Sequence, residues 1–302
     1  MDKGTSAATD RHRARSLAEL DAKMANFVTA DGYAAGLAFE PLPDDVLIAP
    51  FAKCGTTWLQ QMVHSLRTGG DLDFDDISRV VPWIETAADL GLDLDAEQRG
   101  TPRAFKSHLA WDAIPKGGRY IVAVRDPRDA LVSAYRFFEG WFFEPGTIDI
   151  ETIALSRFIE RRDYYRHLAS WWPRRGDDNV LLMAYEHMVR DPSGTVRRVA
   201  DFIGVDADTD RLATACQQSS LDSMSAHRDK YDDLMMRTHS EDACELPPGG
   251  DSSKVRAGQV GAHRLELSTD LIAGLDATWQ DTIGTEFGIA SYDELLAELE
   301  TR

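Results

Sequence analysis

Long hydrophobic runs are missing from this chain of 302 residues: nothing in it approaches the roughly 20 consecutive apolar residues that a membrane-spanning helix needs. The first residues lack the apolar core of a signal peptide and carry Asp2, Lys3 and the basic stretch Arg11 to Arg15 instead. Cysteine is scarce. Cys54, Cys216 and Cys244 are odd in number and far apart, with no CxxC or Cys/His metal spacing, which excludes a disulfide framework and argues against structural zinc. Basic residues are also in the minority, 33 Lys and Arg against 51 Asp and Glu, for a formal net charge of −18. Such a chain repels nucleic acid and anionic membrane surfaces. The expectation is a soluble protein of the reducing cytoplasm, with no nucleic-acid partner and no stable membrane insertion. A small anionic ligand remains compatible, because a pocket can be basic inside an acidic protein.

What is present is organised around Val46-Leu-Ile-Ala-Pro-Phe-Ala-Lys-Cys-Gly-Thr-Thr-Trp58. It opens with an apolar run fit for a buried strand, and Leu59, Met62, Val63 and Leu66 after it fall on one helical face. The loop between brings Lys53, Gly55, Thr56 and Thr57 to a helix N-terminus, where free N–H groups, two hydroxyls and an ammonium suit an anion. It reads as a phosphate cradle or as a plain turn at Gly55 with Thr56 as the cap. The nucleoside-triphosphate loop differs, since its lysine follows the second glycine and a magnesium-holding hydroxyl comes next.

Further along, period-two alternation in Arg103 to Trp111 puts Lys106 and His108 on the same side of an extended segment. An ammonium and an imidazole can then share one site, although a histidine alone is as readily structural. Arg119 to Arg125 reads as a buried parallel strand, and Asp126-Pro-Arg-Asp129 starts a helix with Ala130, Leu131, Ala134 and Phe138 inward. Arg125 and Ser133 can both reach an anion at the sheet's C-terminal edge, or Arg125 can be paired with Asp126 or Asp129. Asn179 to Tyr185 is a third buried strand. Phe137, Phe138, Trp141, Phe142 and Phe143 cannot all face one way, so part of this cluster is expected to wall a pocket. Trp83, near Pro82, fits either an acceptor pocket or the core.

Helices are expected over Ile150 to Arg162, Asp163 to Trp172, Leu271 to Ile283 and Tyr292 to Leu299. Residues 1–15 are expected to be frayed and 225–263 to form a long loop without regular pattern. The whole chain, 1–302, is expected to be a single domain.

The string Lys53-Cys54-Gly55-Thr56-Thr57-Trp58 closely resembles the 5′-phosphosulfate loop of sulfotransferases that use 3′-phosphoadenosine 5′-phosphosulfate (PAPS), usually Pro-Lys-Ser-Gly-Thr-Thr-Trp. Lys106 and His108 resemble that family's Lys-x-His segment, and Val124 to Tyr135 its 3′-phosphate motif. Tyr185-Glu resembles its Tyr-Glu-Asp-Met segment and Ser219 to Met224 its Thr-Ser-Phe-x-x-Met segment, with Leu221 in place of an aromatic. Lys254 to Gly261 resembles the Arg-Lys-Gly-x-x-Gly-Asp-Trp loop, here with Arg256, Ala257 and Gly258, and with Ala262 and His263 for its Asp and Trp. The motifs keep the family's order from residue 51 to 261, about seven-tenths of the chain.

The resemblance implies an α/β protein with a P-loop-like three-layer α/β/α fold and a mainly parallel central sheet. It implies PAPS as co-substrate and 3′-phosphoadenosine 5′-phosphate (PAP) as product. His108 would be the base, and Lys53 and Lys106 would stabilise the departing 5′-phosphate, with no metal required. Trp58, Tyr185, Ser219 and Leu221 would hold the adenine end, and Arg125, Ser133 and Arg256 the 3′-phosphate. Without the family's Lys at Ala257, affinity would lean on those last three. Trp83, Phe138, Trp141 and Phe142 suggest an apolar or amphipathic hydroxyl acceptor such as a phenol, steroid, lipid or glycolipid. Cys54 replaces the usual loop serine; a thiol at a helix N-terminus can have a depressed pKa, or it can simply be a small residue tolerated there. Two rivals stand beside this reading: an ATP- and magnesium-dependent nucleotide kinase, and a catalytically silent nucleotide-binding protein. The family's dimerisation motif is not evident, which leaves oligomeric state open.

Overall fold

The computed structural model describes residues 11–255, 258 and 260–300. Its centre is a sheet of four strands, β1 (Val46–Ile48), β2 (Ala104–Lys106), β3 (Arg119–Val124) and β4 (Val180–Ala184), in the order β2-β1-β3-β4. Every pairing is parallel. Parallel strands are covered on both faces, which is why these segments are apolar at nearly every position.

The alternation of each strand sorts its side chains into two layers. Val46, Ile48, Ala104, Ile121, Ala123 and Met183 pack with Leu59, Met62, Val63 and Leu66 of one helix and Val196, Val199 and Ile203 of another. Leu47, Phe105, Tyr120, Val122, Val124 and Leu182 pack on the opposite side, with Leu131, Tyr164, Leu168, Trp171, Leu275 and Trp279. The result is the expected three-layer α/β/α sandwich.

Five helices matter for placement: α1 (Leu17–Met24), α2 (Ala30–Leu37), α3 (Thr56–Thr68), α4 (Ile77–Val80) and α5 (Pro127–Trp141). The α3 helix follows β1 directly and stops at Gly69, whose φ of 74° allows its N–H to bond Ser65 O. The α5 helix has the expected start, with the Asp126 carboxylate accepting from Arg128 N–H and Pro127 at the first helical position.

Register fixes where the loops emerge. Ile48 is level with Lys106 on one side and Ile121 on the other, so residues 49–55, 107–108, Arg125 and Tyr185 all leave along one C-terminal edge. The outer edge of β2 is closed by residues 82–84: Lys106 N–H donates to Pro82 O (2.7 Å), and Ile84 N–H to Lys106 O (2.9 Å). Trp83 is thereby seated beside Lys106.

Several expectations are corrected. Residues 11–15 are tied down, since Ala14 is fully buried and exchanges backbone hydrogen bonds with Phe142 and Glu144. The stretch after Ala226 contains a 3-10 turn, Arg228–Tyr231, and a helix, Leu234–Ala243. Local pattern did not announce that helix because long-range contacts hold it. Asp76, 1% exposed, caps α4 through Ser78 N–H (2.8 Å) and with its other oxygen accepts Met235 N–H (2.9 Å). The expected helix from Ile150 widens into a π-helix over Ala154–Glu160, and the one from Leu271 runs Thr269–Trp279 before a π turn at Gln280–Gly284. No described helix is long and apolar enough to cross a membrane.

Asp76→Ala removes a cap and strands Met235 N–H in a buried corner. Urea unfolding is expected to show a loss of about 1–3 kcal/mol; an unchanged midpoint would show that this carboxylate does not hold the corner.

Candidate active site

The loop after β1 is shaped by two left-handed residues, Lys53 (φ 70°) and Gly55 (φ 97°). For lysine this conformation costs on the order of 1–2 kcal/mol, strain of a kind that collects at functional loops. At Gly55 a Cβ would stand 3.0 Å from the Tyr185 ring, so only glycine lets ring and loop approach. The Thr56 hydroxyl at the start of α3 is buried and makes no hydrogen bond within the protein. Thr57 beside it is half-buried. An unpartnered buried hydroxyl at a helix N-terminus is what an anion with oxygen acceptors would satisfy.

Cys54 in this loop is fully buried, and burial pushes its thiol up to about 12 against the opposing pull of Arg125. The helix N-terminus therefore does not make it a thiolate. Of the two readings open for Cys54, the small tolerated residue stands and the reactive thiol is withdrawn.

Lys106 and His108 come together, as the alternation required. Both lie against Trp83: the Lys106 ammonium is 3.9 Å from its ring centroid, and the His108 ring meets it edge-on at 5.2 Å. His108 Nδ1 is 2.8 Å from Pro50 O. A carbonyl can only accept, so Nδ1 carries the hydrogen and the lone pair is on Nε2. Burial and the Lys106 charge together push this imidazole well below its ordinary 6.5. His108 is thus a neutral ring with a free acceptor nitrogen, held by a second contact from its backbone N–H to the buried Glu85 carboxylate (2.7 Å).

Burial pushes Lys106 down to about 8, opposed by its contact with Lys254 and the charge of Glu85. Its Nζ lies 3.4 Å from Asp233 Oδ2, and Lys254 Nζ bonds to that same oxygen. Lys53 extends over Phe137, 4.1 Å from the ring centroid.

On the far side of the loop, Arg125 directly follows β3, donates to Lys53 O (3.2 Å) and stacks 4.4 Å over Tyr185. Trp58 meets Tyr185 edge-on at 5.7 Å. A Cβ built at Gly258 would stand 3.5 Å from Leu221 and 3.9 Å from Tyr185 Oη, so these three border one slot. Of the alternative partners for Arg125, Asp126 is paired with Arg128, while Asp129 accepts Gly261 N–H (2.6 Å) and His263 N–H (3.0 Å), lies 2.8 Å from His263 Nδ1, and is also acted on by the charge of Arg125. Ser133, half-buried, is one turn beyond Asp129 and so on the face of α5 toward that docked loop.

Three candidates are placed otherwise than expected. Ser219 is buried, and its hydroxyl donates to Ala215 O (2.6 Å) within its own helix. Trp141 and Phe142 are core: Phe27 packs edge-on against both, and Trp141 Nε1 donates to Ser240 Oγ (3.1 Å). Trp83, Phe137 and Phe138 are the half-buried aromatics left near the site. Arg256 and Ala257 lie outside the described residues. Sequence reasoning missed Glu85, Asp233 and Lys254, because each acts on a partner distant in the chain. Among the described residues no cluster of three metal-ligating side chains occurs.

A sulfotransferase domain pattern matches residues 43–287. Sulfotransferase 2A1 of Rattus norvegicus is 30% identical over 254 residues, covering 79% of this chain and 84% of the relative. Two solved structures share the fold. Mouse sulfotransferase SULT7A1 complexed with PAP aligns with a TM-score of 0.66 at 19% identity, covering 91% of this chain and 95% of that one. Retinol dehydratase in complex with androsterone and inactive cofactor PAP aligns at 0.62 and 18% identity, covering 86% and 84%.

The tautomer and burial of His108 make a direct prediction. In an NMR titration of the imidazole signals, with the resonance assigned through His108→Gln, His108 is expected to stay neutral as pH falls past 6.5 and to protonate only well below it. An ordinary midpoint near 6.5 would show that the ring is solvated and not held as described.

Proposed function

The chain belongs to the sulfotransferase family, and on that premise we propose that His108 is the base in sulfuryl transfer from PAPS to the hydroxyl of an apolar or amphipathic small molecule. One observation carries this reading: a neutral imidazole, oriented through Nδ1, offers its Nε2 lone pair beside the Lys106 ammonium and the Trp83 ring.

The residues present fit the cofactor. The buried Thr56 hydroxyl has no protein partner, Gly55 leaves room where a Cβ would crowd Tyr185, and Lys53, Lys106 and Arg125 all stand at the same sheet edge. When bound, PAPS supplies the sulfuryl group and carries away the developing negative charge on its 5′-phosphate as PAP.

The chain's own groups do the rest. His108 Nε2 takes the proton of the acceptor hydroxyl as that oxygen attacks sulfur in line, opposite the bridging oxygen that leaves. Lys53 and Lys106, with the loop N–H groups and Thr56 and Thr57, hold the charge on the departing phosphate where water is scarce. Arg125 and Ser133, with Arg256, select the 3′-phosphate, while Trp58, Tyr185, Leu221 and Gly258 border the adenine. The half-buried Trp83, Phe137 and Phe138 favour an acceptor with an apolar body; the retinol dehydratase structure holding androsterone supports a ligand of that kind. The reducing cytoplasm remains our placement, supported by three cysteines that are all free.

Calorimetric titration with PAP, beside ATP plus magnesium, tests the cofactor: metal-independent PAP binding with little ATP binding is expected, and preference for ATP would overturn the reading. His108→Ala is expected to lower turnover by roughly 10²-fold or more while PAP affinity is nearly unchanged; a large loss of PAP binding would make His108 a cofactor residue. Arg125→Ala is expected to weaken PAP by about tenfold or more and 5′-AMP far less; equal losses would remove its 3′-phosphate role.

A further inference from the structure

Lys254 is the charged group at this site for which the reaction as described has no use. Its side chain is 9% exposed, and its Nζ bonds Asp233 Oδ2, the oxygen that also receives Lys106. Asp233 is 2% exposed, sits in the left-handed region (φ 47°), and accepts a further bond from Ser78 Oγ (3.2 Å). A non-glycine residue is kept in that conformation only where its surroundings fix it. Here the fixed feature is a carboxylate with two lysine Nζ atoms on one oxygen.

The donors at this contact are not used up. Asp233 gives the two lysines one shared oxygen in a place nearly sealed from water, where burial, followed by the charges of Lys106 and Lys53, pushes Lys254 well below its ordinary value. The Asp76 and Glu85 carboxylates act on the pair by charge while accepting backbone N–H groups, Asp76 from Ser78 and Met235 and Glu85 from His108. Charged, Lys106 and Lys254 would together offer six donors, of which Asp233 Oδ2 takes two. Buried donors without acceptors are costly, and an anion with several oxygens would both take them and favour the charged form of Lys254. Lys53 also acts on Lys254 electrostatically, which brings the loop lysine into the same cluster.

Building on the PAPS reading of this site, we propose that Lys254 is a third cation for the 5′-phosphosulfate, aligned beside Lys106 by their shared Asp233. The position is distinct from residue 257, where this chain has alanine and the family a lysine for the 3′-phosphate. The chain thus lacks a cation at one end of the nucleotide and carries an extra one at the other.

Lys254→Met tests this without stranding Asp233, which keeps Lys106 and Ser78. Affinities of the unaltered protein and the variant for PAP and for adenosine 3′-monophosphate, which lacks the 5′-phosphate, separate the two ends of the ligand. PAP binding is expected to weaken by about tenfold or more and 3′-monophosphate binding by less than about twofold. Turnover should fall, and Lys254→Arg should restore most of the PAP affinity. Equal weakening of both nucleotides, unchanged PAP affinity, or no rescue by arginine would overturn the role. Failure of the unaltered protein to bind PAP would instead overturn the PAPS reading itself, and this proposal with it.

Discussion

Burial of positive charge at the C-terminal edge of the sheet is the constraint on which the rest of the site depends. An ammonium taken out of water without a partner carries an effective penalty of several kcal/mol, and Lys106 is 2% exposed. It lies level with Ile48 of the neighbouring strand, inside the sheet's C-terminal edge. The carboxylate that answers it comes from Asp233, 127 residues away in the chain, so the segment from Tyr231 to Lys254 has to be docked for the edge to be stable. That docking is provided by Asp76 on Met235 N–H, by Lys230 on Phe74 O (2.6 Å) and by the burial of Tyr231 against Phe74. The strand edge and the supposed loop are therefore one structural unit.

The same constraint reconciles a net charge of −18 with an anionic co-substrate. Surface carboxylates act through water and salt, where the Debye length is about 8 Å at physiological ionic strength. Groups held in a dry pocket act at contact distance and are screened far less. Arg125 over Tyr185, Lys53 over Phe137 and Lys106 over Trp83 each have one face against an aromatic ring. A ring face fixes where each cation sits without neutralising its charge. The acidic exterior bears on partners and solubility, and the site is decided locally.

The sheet and the phosphate-type loop were legible because their signals are local. Continuous apolar runs marked β1, β3 and β4; alternation paired Lys106 with His108; a glycine at Gly55 and the cap at Asp126 marked the helix starts. What was not legible depends on contacts across the chain. Trp141 and Phe142 looked like a pocket wall because nothing nearby showed that Phe27, just after the weakly patterned α1, covers them both. Ser219 carried the family's hydroxyl, yet at the helix C-terminus the Ala215 carbonyl, which accepts Ser219 N–H, also lies within reach of that hydroxyl and takes its proton. For Cys54 the helix dipole and burial act in opposite directions, and sequence shows the dipole more readily than the burial that wins.

The loop carrying Gly258 shows how a departure from a motif can be offset elsewhere. Ala262 and His263 stand where the family has Asp and Trp, which on sequence grounds weakens the closure of that loop. In the structure its anchor is a carboxylate on the opposite element: Asp129 in the first turn of α5 takes the N–H groups of Gly261 and His263 and the His263 ring. Those three donors hold the carboxyl below its ordinary range although burial pushes the other way. Asp129 is one turn from Ser133 and four residues from Arg125, so the anchor of the loop and the residues assigned to the 3′-phosphate are carried by one rigid strand-to-helix junction. A helix start fixes the loop's distance from β3 more firmly than a carboxylate within the loop could, because it does not move when the loop does.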